Sequence, residues 1–277
     1  MIAARKKRIF LERFIRPLFL AIAKFDRRYR EKQPMASGWL APLVLAALIY
    51  FGLWFVQDQF WGERLVEFLR ARFFIFTQEP RLQIYTRLFF ENFVIKTLAV
   101  FWVIFLLCVQ GKPAVSSLGL NRVPPMTPGL KRILLFFIAF SLAAAFFQWM
   151  DPLAPDLPAL LFFKDSALVG NILAVFSIVL LAPITEEIIF RGYLYPVFAK
   201  KTGAFFSVII NSILFALLHY PQMKGEFFWL GIIFLSGFLI AISRAVSGST
   251  WLAILLHFFY NGILTFFGFI HHGLNTP

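Results

Sequence analysis

Long apolar runs are the feature that most limits what this chain can fold into. Several stretches of 17 or more residues carry few or no charges, and a helix of that length crosses a hydrocarbon core of about 30 Å. Apolar residues make up 60% of the 277 residues and charged residues 15%, whereas soluble domains have roughly half and a quarter. The sequence therefore excludes a water-soluble fold and predicts an all-α, multi-pass transmembrane helix bundle.

The apolar runs predict about seven to eight spans. The segment 57–92, which mixes charged and bulky apolar residues, predicts interfacial helices. Lys96 lies near the end of one apolar run, and we expect it to extend its ammonium to the membrane surface. The predicted spans are 38–56, 93–109, 133–150, a stretch from 167 past Pro183, 204–218, 227–242 and 251–270. We expect two parts, a segment 1–37 and a transmembrane domain 38–277.

The basic residues predict the orientation of the bundle. Residues 1–37 hold 11 Lys or Arg and three acidic residues, with apolar residues at helical spacing between them, as in a helix lying on an anionic membrane surface. The net charge of +13 therefore predicts that the protein's partner is the lipid bilayer, and not nucleic acid. Placing 1–37 in the cytoplasm also places there the loop 110–132, which has four basic and no acidic residues. In a bacterium, the membrane is the inner one.

Ionisable and amide side chains inside apolar helices are costly, so they are candidate functional residues. Four positions are selected on this ground: Glu186, His219, His257 and Asn261. A rise of about 1.5 Å per helical residue puts the four at similar depths if the long stretch through Pro183 is kinked or broken there. The sequence thus predicts that they share one site.

Helical spacing assigns the neighbours of these residues. Glu187 and Arg191 are i and i+4, acid before base, which predicts an ion pair that leaves Glu186 free. His257 and Asn261 have the same spacing and lie on one face of the last span.

Cys108, the single cysteine, excludes an intrachain disulfide and a cysteine zinc cluster.

These residue types favour hydrolysis by activated water. A carboxylate in a low-dielectric site can act as a general base on water, with a neutral imidazole opposite to help hold that water. Donors on a third helix can stabilise the oxyanion formed when hydroxide attacks an amide carbonyl. Such a site needs no serine or cysteine nucleophile.

The segments around these residues resemble three motifs of one family. Glu186-Glu187 with Arg191 is similar to the EExxxR motif of the CPBP family, which includes the type II CAAX prenyl endopeptidases and bacteriocin-processing relatives. Phe215 with His219 resembles its FxxxH motif, and the span from His257 to Asn261 resembles its HxxxN motif. The resemblance covers about 165–267.

The resemblance implies a glutamic intramembrane endopeptidase with a membrane-embedded active-site cavity and no cofactor or metal. Glu186 and His219 would activate water, and His257 and Asn261 would form the oxyanion site. Three positions match supporting residues: Glu187, Arg191 and Phe215. The implied partner is a peptide or protein substrate, either a prenylated CAAX-type protein or a peptide precursor; the sequence does not assign an oligomeric state.

Two other functions remain open from the residues alone. Glu186, His219 and His257 are acceptable zinc ligands, although no HExxH motif occurs in the chain. Alternatively, a non-catalytic scaffold or bacteriocin self-immunity protein would use the same polar cluster to bind a partner peptide. A transporter is less favoured, because no inverted repeat is visible.

Overall fold

The computed structural model describes residues 96–150, 172, 174–223 and 226–275. Every regular element in these ranges is a helix. The elements are α1 (Lys96–Val109), α2 (Ala114–Ser117), α3 (Pro128–Met150), π1 (Phe176–Leu181), α4 (Ala182–Glu187), π2 (Ile188–Leu194), α5 (Tyr195–Thr202), α6 (Ala204–Leu218), α7 (Tyr220–Met223), α8 (Phe227–Ser247) and α9 (Thr250–Asn275). The all-α prediction is confirmed for the described residues.

Three of these helices are long and apolar enough to cross a membrane, namely α3, α8 and the part of α9 up to Ile270. α1 and α6 are shorter apolar helices. The predicted first span, 38–56, and the basic segment 1–37 lie outside the described residues. A total of seven to eight spans and the two-part division of the chain therefore stay predictions.

Helix boundaries follow local sequence signals. Pro128 begins α3 five residues before the apolar run predicted there, since the first helical position does not need a backbone N–H donor. Gly203, with φ of 86°, separates α5 from α6, and Gly248, with φ of 70°, ends α8. Such positive φ values are readily adopted by glycine, so these positions allow tight reversals between packed helices.

The long helical stretch through Pro183 is continuous, and its distortion consists of two π-helical segments. The residues flanking π1, Val175 and Ala182, have right-handed helical dihedrals. The structure has no break at Pro183, which lies in α4 directly after π1. A kink at this residue stays a prediction. π-helical turns widen the helix locally and are frequent at functional sites.

Packing brings α4 into the centre of the described helices. α4 contacts both α1 and α9, and α8 packs against α3, α6 and α9. One buried apolar cluster joins α1 to π2 and α6 through Val103, Phe190 and Phe215. A second joins α3 to α8 and α9. The residues of α4 other than Ile184 are therefore buried between the neighbouring helices.

The loop after α2 is fixed to the turn between α8 and α9. Thr250 Oγ1 donates to the Leu118 carbonyl at 2.5 Å, and Ser249 Oγ donates to the Arg122 carbonyl at 2.7 Å. The Thr250 N–H donates to the Gly119 carbonyl at 3.1 Å. These bonds satisfy backbone groups that would otherwise lack partners. They place the loop 110–132 and the start of α9 at the same end of the bundle.

Candidate active site

Glu186 and Glu187 form the acidic centre of the described bundle. Both lie on α4, and their exposed fractions are only 3% and 0%. The Oε2 atom of each carboxylate is buried and has no hydrogen-bond partner among the described residues. Two buried carboxylates next to each other are costly without compensating cations and donors, so their Oε1 contacts are decisive.

Glu187 is held by Arg191, as the i, i+4 spacing predicts. Arg191 Nη1 donates to Glu187 Oε1 at 2.8 Å, and both side chains are fully buried. Arg191 Nη2 donates to the Gly237 carbonyl at 2.8 Å. The guanidinium also lies 4.5 Å from the centre of the Phe215 ring, a favourable cation–π distance. Arg191 therefore links α4 to α6 and α8.

His257 lies between the two carboxylates. Its Nδ1 is 2.8 Å from Glu187 Oε1, and its Nε2 is 4.0 Å from Glu186 Oε2. Because a carboxylate accepts, Nδ1 carries the proton in the first contact. The second distance is too long for a direct hydrogen bond and suits one bridged by water. Glu187 thus orients the ring so that the opposite nitrogen faces Glu186.

His219 directly follows α6 and is half-buried. Its Nδ1 donates to the Phe215 carbonyl at 2.9 Å, which leaves Nε2 as the acceptor of the neutral ring. The rings of Phe215 and His219 are 4.8 Å apart, and the Phe215 ring lies 5.6 Å from that of His257. Phe215 therefore packs against both histidines.

Asn261 contacts a backbone carbonyl five residues before Pro183. Its Nδ2 donates to the Ile178 carbonyl at 2.9 Å. In π1 the N–H of Ala182 bonds to the carbonyl of Ser177, five residues earlier. The next bond in that register would join residue 183 to Ile178, but proline has no N–H. Asn261 therefore supplies the donor that Pro183 lacks, and one amide hydrogen is left for another partner.

The same relationship recurs at the end of π2. There the N–H of Tyr195 bonds to the Phe190 carbonyl, and the following residue is Pro196. The carbonyl left without a backbone donor is that of Arg191, and Arg244 Nε donates to it at 3.1 Å. Both proline-freed carbonyls in this long stretch thus accept from polar side chains of α8 or α9.

Lys96 is the residue that the sequence analysis placed wrongly. Its ammonium does not extend to the membrane surface but forms an ion pair with Glu186 Oε1. The side chain is only 14% exposed. Nothing in the local sequence of α1 could indicate this contact, because its partner is 90 residues away.

Comparison with known proteins identifies the segment that carries these residues. Residues 168–263 match the family model described as Rce1-like type II CAAX prenyl endopeptidase. The matched segment is about a third of the chain. It includes all four candidate catalytic residues, whereas Lys96 lies outside it. The matched family is one of proteases, whose substrates are peptides or proteins.

A curated relative matches a segment of similar length. An uncharacterized 24.3 kDa protein of Escherichia coli is 32% identical over 97 residues, which are 34% of this chain and 44% of the relative. The chain therefore spans less than half the length of that relative. No solved structure matches the chain significantly.

Proposed function

We propose that this protein is an intramembrane endopeptidase that hydrolyses a peptide bond with water activated by Glu186. The observation that carries the proposal is the position of Glu186 Oε2, which is buried and lies 4.0 Å from Nε2 of His257. This oxygen has no hydrogen-bond partner in the part of the chain that the structure describes. A water molecule between these atoms would meet a base on one side and an oriented ring nitrogen on the other. The Rce1-like family supports a peptide as substrate.

The reaction follows from the polar groups around that water. Glu186 takes a proton from the water while Nε2 of His219 accepts a hydrogen bond from it, and the hydroxide attacks the carbonyl carbon. The N–H at Nε2 of His257 and the remaining amide hydrogen of Asn261 donate to the oxyanion. The proton held by Glu186 then passes to the leaving amine as the carbon–nitrogen bond breaks. Glu187 holds the other proton of the His257 ring throughout.

Glu187 is not the base in this proposal. Its Oε1 already accepts from Arg191 and contacts Nδ1 of His257, and its exposed fraction is 0%. A carboxylate with these bonds orients a ring, as the aspartate does in a Ser–His–Asp triad. The adjacent carboxylates therefore have different roles.

Cleavage of defined membrane peptides tests the proposal. The purified protein in liposomes is given a panel of peptides with and without a farnesylated CAAX terminus, and products are identified by mass spectrometry. We expect cleavage of at least one peptide that is lost in Glu186→Ala and kept in EDTA. A non-catalytic scaffold predicts no cleavage by the wild-type protein, and a zinc peptidase predicts reversible loss in EDTA; either result refutes the proposal.

A further inference from the structure

Lys96 is a cation at the candidate site that none of the three sequence motifs contains. It comes from α1, outside the segment 168–263 that matches the family model, and contacts Glu186 through its ammonium. A Lys side chain that is 14% exposed in an apolar bundle is costly unless its charge is paired. The contact with Glu186 provides that pairing.

The two buried carboxylates have separate cations. Arg191 is committed to Glu187 through Nη1 and to the Gly237 carbonyl through Nη2. Among the described residues, Lys96 is the only Lys or Arg in ion-pair contact with Glu186. Without it, Glu186 would be a buried carboxylate beside a second carboxylate, and burial would favour its protonated form. A protonated acid cannot serve as a general base.

The contact also selects which oxygen of Glu186 faces the histidine. Lys96 binds Oε1, whereas Oε2 lies 4.0 Å from Nε2 of His257 and has no hydrogen-bond partner within the described ranges. We propose that Lys96 is a positioning residue that keeps Glu186 ionised and turns Oε2 toward the attacking water. The catalytic part of this inference rests on the proposed function, whereas the ionisation part does not.

Infrared difference spectroscopy at neutral pH tests the ionisation without any substrate. In Lys96→Met, we expect the carbonyl stretch of a protonated carboxylic acid, and this band should disappear in Lys96→Met/Glu186→Gln. The difference spectrum between the wild type and Glu186→Gln should lack this band. The spectrum of Lys96→Arg should lack it as well. Lys96→Gln is measured alongside, so that a folding failure of the methionine variant does not remove the test. Absence of the band from both neutral variants overturns the proposal.

Kinetics test the catalytic consequence on any peptide that the wild-type protein cleaves. We expect kcat of Lys96→Met to fall by about 100-fold, the lower end of a general base's contribution, with KM nearly unchanged. Lys96→Arg should recover most of kcat because it keeps the charge. Lys131→Met, which removes an exposed lysine, is the matched control and should behave as wild type. Equal kcat in Lys96→Met and the wild type overturns the positioning role.

The two arms separate this proposal from the proposed function. If the wild-type protein cleaves nothing, the peptidase proposal fails while the infrared comparison still decides whether Lys96 keeps Glu186 ionised. If the wild type cleaves peptides and Lys96→Met is unaffected, the peptidase proposal stands and the role of Lys96 is refuted.

Discussion

The ring of His257 and the carboxylate of Glu187 are joined by a 2.8 Å contact between Nδ1 and Oε1. Glu187 also accepts from Arg191 at the same distance and through the same oxygen. One carboxylate oxygen therefore fixes a cation on its own helix and a ring on α9. Loss of its charge should affect both stability and ring orientation.

Glu187→Gln should destabilise the protein by about 3 kcal/mol, because it leaves the buried Arg191 charge without its partner. We expect a lower midpoint of thermal unfolding in detergent, and loss of cleavage at temperatures where the variant is still folded. Glu226→Gln is the matched control, since Glu226 is exposed. An unchanged midpoint in Glu187→Gln would contradict the role given to this ion pair.

Two glycines of α8 form a matched pair for testing the packing around Arg191. A Cβ on Gly237 would lie 2.9 Å from Cδ1 of Phe215 and 3.2 Å from Nη2 of Arg191, whereas one on Gly231 would meet nothing within 4 Å. Gly237→Ala should destabilise by about 1–3 kcal/mol through overpacking. Gly231→Ala should be neutral or stabilise by up to about 1 kcal/mol through helix propensity. Equal effects on thermal unfolding would show that the close approach is absent.

Asn261 and Pro183 should be coupled energetically through the Ile178 carbonyl. Asn261→Ala should cost about 1 kcal/mol with Pro183 present, the typical net value of one hydrogen bond. In a Pro183→Ala background the restored N–H can bond to Ile178, so the same change should cost clearly less. A double-mutant cycle of unfolding free energies measures this difference. Additive effects would mean that Asn261 does not replace the missing backbone donor.

The sequence predicted the parts of the site that depend on helical spacing and depth. The Glu187–Arg191 ion pair follows from i, i+4 spacing and is present. The sequence places Glu186 and His257 at similar depths in one membrane, which predicts that they lie close together, as the structure has them. The catalytic roles of Glu186, His219, His257 and Asn261 remain predictions for the experiments proposed for them.

Other features depend on contacts that no local pattern encodes. The partner of Lys96 depends on which helix packs beside α1, and a single lysine near the end of an apolar run usually reaches the membrane surface. Asn261 and Arg244 donate to the carbonyls of the π-helical segments that lack a backbone donor, and both side chains come from other helices. A proline in the sequence predicts a distortion but not its form.

Orientation in the membrane is also open to a direct test. In a Cys108→Ser background, Val123→Cys, in a loop position that is 94% exposed, should react with an impermeant maleimide only from the cytoplasmic face. Asp156→Cys, which follows the predicted span 133–150 and lies outside the described residues, should react only from the opposite face, because that span starts at the cytoplasmic loop 110–132. Labelling of both positions from one face would contradict the predicted topology.

The rate of peptide cleavage by Glu186→Gln tests the central claim most directly. The amide keeps the size of the side chain but cannot take a proton from water, so kcat should fall by about 10²–10⁴-fold with KM nearly unchanged. Glu226→Gln should cleave at the wild-type rate. Wild-type kcat in a folded Glu186→Gln protein would contradict the claim that Glu186 activates the water.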